Sequence, residues 1–180
     1  MSLIKFYILL ILLSLCISPI KSGTCQSSQK EETDSLCSIY NSTNGDNWLW
    51  SKVSLSTRWI CDYAPVNLSN ICMWYGVTCD ATCSVSKIVL EIMNLTGNIR
   101  DIKLDNLIEL NLLDNHLTGS LPLFSSDKIQ NIRLRYNQLS GSVPDSYSKL
   151  KDLNSLRFSE NKLSGAFPNI GMLVLIYILN

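Results

Sequence analysis

The chain has 180 residues, about one domain's worth, with 15 Lys and Arg against 15 Asp and Glu. Hydrophobic residues make up 46% and charged ones 17%, a balance that excludes intrinsic disorder. Zero formal charge offers no field for nucleic acid or an anionic membrane, and the single histidine, His116, excludes any site built on two imidazoles.

Lys5 precedes an apolar run from Phe6 to Ile17, and Ser18-Pro19 follow. That order predicts a secretory signal over residues 1–22. The run falls short of the roughly 20 apolar residues that a membrane span needs. Losing Lys5 and Lys21 with the signal leaves 13 basic against 15 acidic residues, a net of −2.

Residues 23–84 hold Cys25, Cys37, Cys61, Cys72, Cys79 and Cys83. An even number of cysteines in an exported chain reads as a disulfide set, with a secreted or cell-surface location. Zinc is disfavoured, because no Cys-x-x-Cys pair occurs and His116 lies outside the cluster. Asn41-Ser42-Thr43, Asn67-Leu68-Ser69 and Asn94-Leu95-Thr96 are acceptors for N-glycosylation. A helix is expected around Glu31 to Asn41, with Leu36, Ile39 and Tyr40 on one face.

From residue 85 a unit repeats. Gly97, Gly119, Gly141 and Gly165 are spaced by 22, 22 and 24 residues. Before them stand Val85-x-x-Ile88-x-Leu90, Leu107-x-x-Leu110-x-Leu112, Ile129-x-x-Ile132-x-Leu134 and Leu153-x-x-Leu156-x-Phe158. Asn115, Asn137 and Asn161 follow the last three of these runs, and Pro122, Pro144 and Pro168 close the units. Apolar residues three and then two positions apart suit a short strand with inward side chains, stacked on the next at about 4.8 Å. An Asn after the strand can use its amide to satisfy backbone groups left open as the chain turns inward. Gly interrupts every unit and Pro the last three, which rules out a helical bundle. One rung cannot fold alone, so residues 85–168 form a four-rung solenoid, with 169–180 as an apolar tail and partial fifth rung. The helix and Trp48, Trp50, Trp59 and Trp74 can cover the first rung's otherwise exposed edge.

These units resemble the plant-type leucine-rich repeat family, L-x-x-L-x-L-x-x-N-x-L-x-G-x-I-P, and Cys72-Met-Trp74-Tyr-Gly76-Val77-Thr-Cys79 is similar to the C-x-W-x-G-V-x-C signature of that family's N-terminal cap. The resemblance implies an α/β solenoid with short parallel strands on a concave face and a helical, disulfide-bonded cap over residues 23–84. A Cys72–Cys79 bridge closes a short loop and contributes about 2.5 kcal/mol on the chain-entropy model. The other four cysteines allow three pairings, of which Cys37–Cys61 with Cys25–Cys83 is preferred. The first rung departs from the pattern, with Met93 in place of Asn and Arg100 in place of Pro, as expected of a rung that meets a cap. Relatives include receptor-kinase ectodomains, receptor-like proteins and secreted inhibitors of pectin-degrading enzymes.

Residues between the inward ones should face solvent: Val89 and Glu91, Asn111 and Leu113, Arg133 and Arg135, Arg157 and Ser159. Arg133 and Arg157 share a column on adjacent rungs, with Arg135 and Tyr136 beside them, and guanidinium groups so placed match a carboxylate-bearing partner. The expected ligand is an acidic patch on a protein or an acidic glycan, with Arg133, Arg135, Tyr136 and Arg157 as binding residues. The bland alternative is a solvated row of arginines balanced by Glu109, Asp114 and Glu160. No nucleophile motif or Gly-rich phosphate loop occurs, so neither catalysis nor a cofactor is expected. Asp101 and Asp105 fall on the outer side of a rung, where no cleft is expected. The functional expectation is a non-enzymatic extracellular recognition module of the receptor-ectodomain kind. The alternatives are a soluble inhibitor of a cell-wall-degrading enzyme and an adhesive protein that self-associates through its C-terminal apolar tail.

Overall fold

A computed structural model describes residues 29–61, 70–169 and 175–177. The expected signal segment, Cys25 and the Asn67 acceptor lie outside the described residues. The first described element is α1, Gln29–Ser42. Glu31 and Glu32 occupy its first turn, where carboxylates complement the helix dipole. Leu36 and Ile39 are buried and Tyr40 is half-buried, as the spacing predicts. The helix is closed by Thr43, whose buried hydroxyl donates to the Ile39 carbonyl at 2.7 Å. Asn44 then turns the chain through a left-handed φ of 61°.

The tryptophans pack into one row. Trp48 meets Trp50 at 5.3 Å and Trp59 at 5.1 Å between ring centroids, and Trp59 meets Trp74 at 5.4 Å. A buried indole keeps its stability only if its N–H finds an acceptor. Trp48 Nε1 donates to Thr43 O at 3.0 Å, Trp50 Nε1 to Gly45 O at 2.7 Å and Trp59 Nε1 to Tyr75 O at 2.8 Å. Disulfides fasten this layer: Cys37 on α1 is bonded to Cys61, and Cys72 to Cys79. Cys83 is disulfide-bonded as well.

Among the described residues ten short strands follow: β1 Val77–Cys79, β2 Val85–Val89, β3 Thr96–Asn98, β4 Glu109–Asn111, β5 His116–Thr118, β6 Asn131–Arg133, β7 Ser140–Gly141, β8 Ser155–Arg157, β9 Lys162–Leu163 and β10 Leu175–Tyr177. The main sheet has the order β1-β2-β4-β6-β8-β10. β1 runs antiparallel to β2, and every later pair is parallel. Ile88, Leu110, Ile132 and Leu156 lie side by side in its register and are fully buried. The pairs β3–β5 and β7–β9 form small ladders on the far side of the coil. β10 continues the sheet beyond β8, with Ile176 opposite Leu156.

The Asn positions work between rungs as well as within one. Asn115 Nδ2 donates to the carbonyls of Leu90, Leu112 and Leu113 at 2.8, 3.0 and 3.2 Å, while its Oδ1 accepts from the amides of Met93 and Leu95 at 3.0 Å each. Asn137 does the same for Leu112, Leu134 and Leu117, and Asn161 for Leu134, Phe158 and Leu139. Met93, where the first rung lacks its Asn, is buried in the core, and its carbonyl accepts from Leu49 N at 2.9 Å. That departure is therefore the joint between cap and solenoid.

Before each of these positions the chain turns through the left-handed region: Ile92, Asp114, Tyr136 and Glu160 have φ of 53°, 54°, 55° and 57°. For the β-branched Ile92 this is strain, held by the surrounding ladder. Tyr147, in a short 3-10 turn over Asp145–Lys149, fills the core behind the third rung and donates its hydroxyl to Pro122 O at 2.8 Å. Burial pushes its pKa well above the usual phenol range.

Candidate functional site

The solvent face of the main sheet is a grid set by strand register. One column runs Val89, Asn111, Arg133, Arg157 and a second runs Lys87, Glu109, Asn131, Ser155. Arg133 and Arg157 are direct partners on β6 and β8, so the structure brings the two guanidinium-bearing positions together. Arg157 is exposed and Arg133 half-buried. Arg135 is also exposed, and its guanidinium lies 4.5 Å from the centroid of the Tyr136 ring. That contact holds the cation outward against an aromatic face.

The second column holds Glu109, which the bland alternative already offers as a counter-charge to the arginines. Glu109 bridges Lys87 at 3.5 Å and Arg133 at 3.6 Å, so Arg133 is half-neutralised within the sheet. Period-two alternation carried the signal, since Glu109 and Asn111 flank the inward Leu110 just as Asn131 and Arg133 flank Ile132. Two expected surface positions are corrected. Asn111 is 2% exposed and Ser159 5%. The Asn111 amide donates to the Glu91 carboxylate and its Oδ1 accepts from Leu113 N at 3.2 Å, so its polar ends are held within the fold. The Ser159 carbonyl accepts from Tyr136 N at 3.2 Å, so its backbone is bonded to the preceding rung. Arg133 Nε and Ser155 Oγ, both on this face, are buried without a hydrogen-bond partner among the described residues.

His116 is exposed in β5, on the opposite side of the coil from the sheet. Asn41 is exposed on α1. Asn94 is half-buried, and its Nδ2 donates to Asn47 O at 3.1 Å.

The outer side is not featureless, contrary to expectation. A groove of about 680 Å3 runs between α1 and the outer arcs of the first two rungs, lined by residues that include Ser38, Ser42, Asn98, Arg100, Asp101 and Ser120. A neighbouring hollow includes Glu31, Asp34 and Asp105. Repeat arithmetic describes the rung alone, and the second wall comes from the cap helix. Asp101 Oδ1 accepts from Leu123 N at 3.0 Å, which fixes its carboxylate at the groove.

Glu32 ties the same helix to the first rung. Its Oε1 accepts from Val85 N at 3.1 Å, while Oε2 is buried with no partner among the described residues. Burial raises its pKa above the ordinary 4.5; the Val85 bond opposes that, and Asp80 and Asp105 add to it. A carboxyl whose pKa is higher in the folded state stabilises the fold below its unfolded pKa and loses that contribution as pH rises through the folded value. Glu32→Gln keeps the acceptor for Val85 and removes the charge. The variant is expected to be more stable than the parent at pH 7, with the gap closing near pH 4 in urea titrations across that range.

Comparison with known proteins places this geometry. Residues 128–150 match the family model described as Leucine Rich Repeat. No curated protein sequence matches the chain. Among solved structures, the chain is similar to the ectodomain of the receptor kinase SOBIR1 from Arabidopsis thaliana, at 34% identity over 53% of this chain and 60% of that one, with a TM-score of 0.48. It also matches the PEPR1–AtPEP1 structure at 23% identity over 82% of this chain and 21% of that one, with a TM-score of 0.66. The BIR3–SERK2 complex from Arabidopsis thaliana gives 27% identity over 76% of this chain and 73% of that one, with a TM-score of 0.54. The chain thus spans 60% of the SOBIR1 ectodomain and about a fifth of PEPR1.

Proposed function

We propose that this leucine-rich repeat protein of the plant type is a non-enzymatic, extracellular recognition module that binds a protein or an acidic glycan through the strand face of its solenoid. The observation that carries the reading is the pairing of Arg133 with Arg157 on adjacent strands, with Arg135 set on Tyr136 beside them. Like charges at this spacing repel, and a carboxylate-bearing partner relieves the repulsion while matching the guanidinium fork. Similarity to the BIR3–SERK2 complex, a structure of two associated proteins, supports a protein partner. The disulfide-bonded cap and the acceptor asparagines support an exported, glycosylated chain, with Asn41 the more accessible of the two described acceptors.

Arg135 and Arg157 are the residues to reverse. Changing Arg133 would place a new carboxylate against Glu109 and confound binding with stability. Poly-glutamate peptide and oligogalacturonate serve as probes in calorimetric titrations. Arg135→Glu with Arg157→Glu is expected to weaken the better probe at least about tenfold, equal to about 1.4 kcal/mol, with a steeper loss for the parent as salt rises. Equal affinity in parent and variant overturns the reading.

Self-association is a second reading, favoured by β10. Its parallel pairing with β8 makes it the outermost described strand, and an outermost strand with a free edge is a template for another chain. Size-exclusion of the secreted protein at increasing concentration separates the two: this reading expects a concentration-dependent dimer, and a monomer throughout removes it.

A further inference from the structure

Building on the reading that Asn41 is glycosylated, we propose that the groove between α1 and the outer arcs of the first two rungs seats the inner sugars of the Asn41 glycan, which then holds the cap helix against the repeats. Asn41 is exposed on α1; Ser38, three positions back on the same side of the helix, and the adjacent Ser42 line the groove. A sugar chain leaving Asn41 therefore begins at the groove's rim. The rest of the lining is suited to it. Sugar hydroxyls donate and accept at once, and the groove offers serine hydroxyls, the Asn98 amide, the Arg100 guanidinium and the Asp101 carboxylate. That carboxylate is already positioned by Leu123 N. The volume of about 680 Å3 falls within the range of small-ligand sites, about 300–1,000 Å3.

Tethering explains why a polar, open groove suffices. A ligand on a short flexible link is presented at an effective concentration of about millimolar or higher, so contacts too weak to capture a free saccharide still hold an attached one. The two walls belong to different parts of the chain, α1 on one side and residues 98–101 and 120 on the other, so a sugar bonded to both resists separation of cap and solenoid.

The test uses the full chain secreted from a glycosylating eukaryotic host, as parent, Asn41→Gln, and both again with Ser120→Tyr, which fills the groove. Thr43 is unsuitable as the target because its hydroxyl is buried on Ile39 O. The glycosylated parent is expected to melt about 4 °C above Asn41→Gln. With Ser120→Tyr that gap should vanish, and endoglycosidase should trim the Asn41 glycan severalfold faster than in the parent. If Ser120→Tyr does not fold, Arg100→Ala at an exposed position gives the same comparison with a partial loss. Intact mass showing Asn41 unmodified overturns the glycosylation reading and the proposal with it. A modified Asn41 with the same melting gap and trimming rate in parent and groove variant overturns the seating alone.

Discussion

Asn115→Leu is expected to lower the free energy of unfolding by about 4 kcal/mol, although leucine is apolar, has the same branched skeleton and would sit beside a hydrophobic core. Asn115 is 3% exposed and makes five hydrogen bonds, three to carbonyls and two to amides. The carbonyls of Leu112 and Leu113 belong to its own rung, whereas Leu90, Met93 and Leu95 belong to the rung before. Leucine leaves these backbone groups in a dry interior, at about 1–3 kcal/mol for each that finds no other partner. Some relax toward water or toward Asn137, which already bonds Leu112 O at 3.0 Å, and this holds the total below a simple sum. Urea denaturation is the measurement, read as a fall in midpoint at constant slope. The contrast with Asn137→Leu is informative. Asn115 serves the rung that carries the cap, so its loss should also loosen Leu49, which donates to Met93 O. A loss of less than about 1 kcal/mol would mean that the ladder is not what joins the rungs.

The repeat itself was legible because its physics is periodic. Inward residues every two or three positions, a glycine at one fixed place and a proline after it leave few ways to wind the chain. Ile88, Leu110, Ile132 and Leu156 are fully buried and in register as the spacing requires. The reach of each Asn into the preceding rung was not legible, because a hydrogen bond made one turn of coil away leaves no local mark in the sequence. Tyr147 was missed for a related reason. It lies in the variable arc between Pro144 and Leu153, where no repeat constrains the residue type, and only the finished stack shows that a ring is needed opposite Phe124, at 5.7 Å between centroids.

The candidate site was legible only in part. Register alone puts Arg133 beside Arg157, and counting from the repeat found that pair. What the count could not weigh is how neighbours discharge one another. Glu109 takes up Arg133 and Lys87 together, so Arg133 is not a free cation on this face. The outer groove was invisible because it lies between two elements some sixty residues apart in the chain, α1 and the first rung's outer arc, and no pattern within either one announces it.

Gly76→Ala is expected to be as damaging as the loss of Asn115, at about 3 kcal/mol or more, for a single added methyl group. Gly76 has φ of +75°, which costs any other residue, and a Cβ there would lie 2.2 Å from the Val89 carbonyl oxygen and 3.0 Å from Leu90 Cδ2. The neighbouring atom is backbone in a strand, so it cannot step aside as a side-chain tip would. The Gly76 carbonyl also accepts from Val89 N at 2.7 Å, the bond that brings the cap onto the edge of the sheet just before β1 pairs with β2. Pushing the two backbones apart therefore breaks the seam at which Cys72–Cys79, Trp74 and the first rung meet. Gly141→Ala is the matched control: its φ is +84° but nothing lies within 4 Å of an added Cβ. The control isolates the conformational cost, about 1 kcal/mol, and the difference between the two variants measures the close approach. Equal losses in chemical denaturation would show that conformation alone is at stake and that the cap-to-sheet contact has room to yield.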